Sequence, residues 1–88
     1  MQLEKLLGSR NKITLLRHLS KKEGWLFNLS LAGKEINLDK GVVSKLIKDL
    51  EENKIVEVKR SGKLILFRLN KKYSHILKKI FEAEKRHG

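Results

Sequence analysis

Eight residues carry the chemistry this sequence could do: Lys40, Gly41, Ser44, Lys45 and Lys48 in one stretch, and Lys59, Arg60 and Lys63 in another. Lysine and arginine donate charged hydrogen bonds to phosphate oxygens, serine can donate or accept at base edges, and glycine lets a backbone come close to whatever is bound. The set suits a polyanion that offers both phosphates and hydrogen-bonding edges, and nucleic acid has both. Lysines on a helix surface usually do no more than keep a protein soluble. Here they are grouped with Gly41 and Ser44 on one side of a helix and around one turn, which favours binding.

The overall charge agrees. The 88 residues hold 21 Lys+Arg against 10 Asp+Glu, a formal charge of +11, which is self-repelling unless an anionic partner is present. A membrane surface is the weaker candidate, because no apolar run approaches the ~20 residues needed to span a bilayer and the N-terminus lacks a signal-peptide pattern. A cytoplasmic protein without membrane contact is expected. There is no cysteine, so disulfides and thiolate zinc sites are excluded.

Catalytic arrangements are missing. The two aspartates are Asp39 and Asp49, both on the central helix, and no serine, histidine and acid form a nucleophile set. No Gly-rich phosphate loop appears, and His18, His75 and His87 build no i, i+4 ligand pair. A sensor site shared between subunits, from His75 or His87 with Glu82 or Glu84, ranks below ordinary surface histidines. Neither an enzyme nor a metal, cofactor or small-molecule ligand is expected.

The first group needs a helix to display it. Residues 38–52 place Val43, Leu46, Ile47 and Leu50 on a buried stripe and Gly41, Ser44, Lys45, Lys48 and Glu52 opposite, with Asp39 as N-cap. The exposed N–H groups of that end suit phosphate. Before it, Asn28 can cap a helix running to Ile36, in which Leu29, Ala32 and Ile36 point inward and Gly33 permits close approach; Asn37 ends it in the left-handed conformation. Leu3, Leu6 and Leu7 suggest a first helix closed by Gly8. A second, from Arg10 to about Lys21, buries Ile13, Leu15, Leu16 and Leu19 and leaves Arg10, Lys12, Arg17 and Lys21 to solvent. Trp25-Leu26-Phe27 reads as a brief strand capping the core. The second basic group needs a hairpin: Val56 and Val58, then Ile65, Phe67 and Leu69, alternate with polar or outward residues about a Ser61-Gly62 turn. Asn70 caps a last helix, 71–87, whose stripe of Tyr73, Ile76, Leu77, Ile80 and Phe81 is longer than one small core needs.

This order resembles the winged helix-turn-helix proteins, and three stretches carry the likeness. LGSRNKITLLRHL (7–19) looks like the opening helix of ArsR/MarR-type regulators of archaea and bacteria. LAGKEINLDKGVVSKLIKDLEENKIVEV (31–58) is similar to their core pattern, with Gly33, Asn37, Asp39 and Val43 at its marked positions. GKLILFRLN (62–70) looks like the second wing strand. Ala32, where a larger aliphatic is usual, and Asn37 in place of Gly depart from the pattern. Free-standing archaeal winged helices, and those fused to nucleotidyltransferases, are also similar. Gly8-Ser9 resembles the pair opening a nucleotidyltransferase site, but the carboxylates for two metal ions are missing.

The resemblance implies an α+β, mostly helical single domain over 1–88: a winged helix-turn-helix with a two-stranded wing, a short third strand and a C-terminal helix. It implies a transcriptional regulator of double-stranded DNA, with the helix at about 39–53 in the major groove and the wing, 55–69, on the flanking backbone or minor groove. The last helix, helped by Leu3, Leu6 and Leu7, would join two copies as a homodimer through Tyr73, Ile76, Leu77, Ile80 and Phe81. The alternatives are a module for RNA or protein, and an accessory subunit presenting nucleic acid to a separate enzyme.

Overall fold

The computed structural model describes residues 10–22 and 24–87, the last four as backbone only. Leu3, Leu6, Leu7, Gly8 and Ser9 therefore lie outside the described residues. Among the described residues four helices and three strands follow in the order α1 (Arg10–Ser20), β1 (Phe27–Asn28), α2 (Leu29–Ile36), α3 (Lys40–Glu52), β2 (Val56–Ser61), β3 (Leu64–Leu69) and α4 (Lys71–His87).

The helix ends are set by local hydrogen bonds. The side chain of Asn28 accepts from the Leu31 amide at 2.8 Å and opens α2. Asn37 closes α2 at φ 58°, ψ 46°, and the amides of Asn37 and Leu38 both donate to the Gly33 carbonyl. Asp39 accepts from the Gly41 amide at 3.0 Å and opens α3. At the far end of α3, Lys54 takes φ 60° and the Ile55 amide returns to the Leu50 carbonyl. Asn70 links three elements: its amide donates to the Ile55 carbonyl, its side-chain NH2 to the Lys54 carbonyl, and its side-chain oxygen accepts from Lys72 at the start of α4.

The antiparallel sheet has the order β1-β3-β2, with Phe27 opposite Phe67 and Val56 through Ser61 opposite Leu69 back to Leu64. The tight turn is Gly62-Lys63, one residue later than the sequence suggests, with Gly62 at φ 58°. The strand ahead of α2 is also shifted. Phe27 is buried and stacks on Phe67 with ring centres 6.2 Å apart, whereas Leu26 is 59% exposed and Trp25 lies outside the core.

One core joins these elements: Ile13, Leu15, Leu16 and Leu19 of α1, Phe27, Leu29 and Ala32, then Val43, Ile47 and Leu50 of α3, Val56, Phe67 and Leu69 of the sheet, and Leu77 and Phe81 of α4. Two sequence readings change. Leu46 is only partly buried, so the inner seam of α3 is Val43, Ile47 and Leu50. Lys12 is not left to solvent: it pairs with Asp49 and ties α1 to α3.

Close packing of α2 on α3 depends on Gly33. A Cβ there would lie 2.6 Å from the Leu38 carbonyl oxygen, which is backbone and cannot swing away. Gly33→Ala is therefore expected to destabilise by ~1–3 kcal/mol even though alanine is the better helix former. Leu50→Ala should destabilise by ~2–5 kcal/mol and Lys45→Ala by less than about 0.5. Denaturant melts of the three variants check this, and similar losses for Leu50→Ala and Lys45→Ala would contradict the assignment of helix faces.

Candidate nucleic-acid interface

Lys40, Gly41, Ser44, Lys45 and Lys48 are all exposed on α3, away from the Val43-Ile47-Leu50 seam. They follow from the helical period: with three buried positions fixed, the residues a half-turn away must face out. The N-terminal end is less open than its sequence suggests. The Asp39 carboxylate occupies the Gly41 amide and adds a negative charge there. A Cβ on Gly41 would meet that carboxylate oxygen at 3.0 Å, so the bare glycine has a local steric cause besides any approach by a ligand.

Lys59, Arg60 and Lys63 are exposed on the hairpin, but strand alternation parts them. Lys59 stands opposite Leu66 and points its ammonium over the Trp25 ring, 5.8 Å from the ring centre. Arg68, two pairs further along and so on the same face, lies over the same ring at 4.3 Å and forms an ion pair with Glu57 at 3.4 Å. Arg60 stands opposite Ile65 on the other face and reaches α3 instead. Its Nη1 and Nη2 donate to the two carboxylate oxygens of Glu51 at 3.1 and 2.9 Å. The hydrogen bond from Arg60 holds the Glu51 carboxyl below its ordinary value against the opposing effect of burial, and the Arg60 charge adds a lesser pull in the same downward direction. The same bond and charge raise the pKa of Arg60.

Two depressions flank this contact. One, of about 240 Å³, lies between α3 and the hairpin and is lined by Ser44, Ile47, Lys48, Glu51, Glu52, Arg60 and Ile65, with Leu29 at its floor. The other, of about 380 Å³, brings Lys40 and Lys63 together with Asn28, Ser30 and Leu64. The turn thus joins the basic start of α3 through Lys63, not through the whole cluster.

Glu51 is the member of this surface that the composition reading passed over. Its spacing could have found it, since Ser44, Lys48 and Glu51 stand at i, i+4 and i+7 of one helix face.

On α4, Leu77 and Phe81 were expected to face a second copy, but they are 7% and 8% exposed and belong to the core of their own chain; the Arg17 guanidinium covers the Phe81 ring at 5.2 Å. Ile76 is 53% exposed, and Tyr73 and Ile80 are half-buried. His18 faces Glu35 across α1 and α2 and packs edge-on against Phe27. The side chains of Glu84 and His87 lie outside the described residues. Among the described residues no helix is long and apolar enough to cross a membrane.

No protein-family model matches the sequence, and no curated protein matches it. Solved structures do. The transcriptional regulator SlyA superposes with a TM-score of 0.78 at 18% identity, over 99% of this chain and 61% of its own. FabT of Streptococcus pneumoniae, solved in complex with DNA, gives 0.73 at 18% identity, over 90% of this chain and 55% of its own. A homodimeric winged helix-turn-helix DNA-binding domain from Mycobacterium bovis gives 0.74 at 13% identity, over 94% of this chain and 76% of that fragment. The chain thus spans little more than half the length of SlyA and FabT. The helix order, the tight α2–α3 turn, the hairpin bound to β1 and these superpositions make this a winged helix-turn-helix fold, with α3 as the second helix of the motif and β2–β3 as the wing.

Proposed function

We propose that residues 1–88 work as one domain of a sequence-specific regulator that binds double-stranded DNA as a homodimer and carries out no catalysis. The observation that carries the reading is the outer face of α3, where Lys40, Gly41, Ser44, Lys45 and Lys48 stand exposed beside a wing that adds Lys63 at the same end. An α-helix fits the major groove, and its exposed face then meets base edges while flanking lysines meet phosphate. The likeness to FabT, solved with DNA, and to a homodimeric DNA-binding domain supports both parts of the reading. Lys59 and Arg60 supply charge to the flanking backbone or minor groove, Lys59 from the Trp25 side and Arg60 from the α3 side.

The dimer contact is narrower than the sequence stripe. Ile76, with the half-buried Tyr73 and Ile80, supplies the apolar surface of α4, and Leu3, Leu6 and Leu7 would add to it. Two chains of charge +11 repel each other, so association should strengthen as salt rises.

Three measurements test this reading. Selection of duplexes from a random pool should yield a preferred site, and ~4 phosphate contacts per subunit predict log K falling against log salt with a slope near −7. Lys63→Ala should weaken all duplexes alike and flatten the slope by about two per dimer, whereas Ser44→Ala or Lys45→Ala should weaken the preferred site more than random DNA. Binding indifferent to Lys45→Ala and Lys48→Ala together, or a preference for single-stranded RNA over every duplex, would move the assignment to a module for RNA or protein. In light scattering, a monomer at micromolar protein and ~0.3 M salt whose mass Ile76→Asp leaves unchanged would rule out the α4 contact.

A further inference from the structure

The face offered to DNA is basic with an exception that the fold itself assembles. Glu51 shares a side of α3 with Ser44 and Lys48, and Arg60 is brought to it by the inner face of the wing. The fork of the guanidinium matches both carboxylate oxygens, at 2.9 and 3.1 Å. Both side chains remain accessible, Arg60 at 56% and Glu51 at 34%. Exposed ion pairs add little to stability, and the wing is already secured by its ladder and by Val56, Phe67 and Leu69 in the core. What the pair does control is which anion the arginine meets. An arginine fork suits phosphate as well as carboxylate, so the two compete for the same donors.

We propose that Glu51 is a specificity-determining residue of this surface, holding Arg60 away from phosphate until a duplex seats closely enough on α3 to displace the carboxylate. The inference rests on the reading of this face as a DNA interface. A duplex held loosely, by charge alone, leaves the pair intact and meets one fewer cation per subunit, together with a carboxylate at the groove between helix and wing. A duplex that fits α3 brings a phosphate to within reach of the guanidinium and replaces Glu51. The preferred site then gains Arg60 and random DNA does not. The separation between the two affinities widens without any additional contact to a base.

Glu51→Gln tests this, with Glu52→Gln as the matched control. Glu52 lines the same groove and changes by the same unit of charge, but among the described residues it forms no ion pair with Arg60. Fluorescence anisotropy against random duplex and against the selected site, over a salt series, reads the result. Glu51→Gln should strengthen random binding on the order of ten-fold at 0.1 M salt and steepen its slope by about two per dimer, with a smaller gain at the selected site. Glu52→Gln should give a smaller gain. In the unsubstituted protein Arg60→Ala should weaken random binding only by the charge of the Glu51 it leaves unpaired, about as much as Glu52→Gln strengthens it, whereas in the Glu51→Gln background it should cost more and remove the whole gain. Equal gains from Glu51→Gln and Glu52→Gln, or equal losses from Arg60→Ala in both backgrounds, overturn the proposal while binding that depends on Lys45 and Lys48 stands. A folded protein that binds no duplex at all overturns the DNA reading and this inference with it. Thermal melts of each variant check that the fold is retained.

Discussion

The posture of α3 depends on a contact with no room in it. Gly33 lies against the Leu38 carbonyl, and the chain between them reverses through Asn37 in the left-handed conformation, so α2 and α3 cross at close range over three connecting residues. Two consequences follow from that short connection. Val43 is drawn against the same glycine and becomes fully buried, and the face of α3 opposite Val43, Ile47 and Leu50 is turned outward. A bulkier residue at Gly33 would tilt α3 and with it every exposed side chain on the helix. The candidate interface is in that sense a product of packing on the buried side of α3, which its own exposed side chains do not make.

The second constraint comes from the hairpin. Its register places Val56, Val58, Phe67 and Leu69 toward the core, which commits Arg60 to the same face and Lys59 to the other. Near the turn the inner face carries Ile65 and Arg60 and borders the groove toward α3. The arginine that arrives there finds Glu51. On the outer face, Lys59 and Arg68 lie over Trp25, whose ring is thereby held to the sheet from outside instead of packing beneath it. Residues adjacent in sequence thus act on opposite sides of a two-residue-deep structure.

Much of the fold was legible because its determinants are local. Asn28, Asn37 and Asp39 work through hydrogen bonds within a few residues, as does the Asn70 side-chain oxygen at the start of α4, and the change of period from helical to alternating after Asn53 marks the hairpin directly. The exposure of Lys40, Gly41, Ser44, Lys45 and Lys48 was legible for the same reason. What could not be read depends on distances between elements. The partners of Lys12 and Arg60 sit 37 and 9 residues away, and no periodicity reports them. On α4 the apolar stripe was visible, but how much of it the chain uses itself depends on where α1 lies; α1 takes Leu77 and Phe81 and leaves Ile76. Leu46 shows the limit of a helical wheel, since a position at the margin of the stripe is buried only if a neighbour reaches it.

The acids of α3 show how a chain of charge +11 arranges the few negative groups it has. Asp39 is engaged by the Gly41 amide, Asp49 by Lys12 and Glu51 by Arg60, each at an edge of the helix: its start, its α1 side and its wing side. Between those edges, Lys40, Lys45 and Lys48 form no ion pair among the described residues. Asp49 and Glu52 stand four residues after Lys45 and Lys48, yet among the described residues neither spacing closes into an ion pair along the helix. Instead the pairing runs between elements, where it ties α3 to α1 and to the wing. The front keeps an excess of positive charge over Glu52, and because like charges repel there, those lysines are better satisfied when a polyanion is bound than when the face is free. Helix attachment and ligand attraction thereby draw on different residues of the same helix except at Glu51, where the pair with Arg60 ties α3 to the wing and also sets what that arginine can offer to a phosphate.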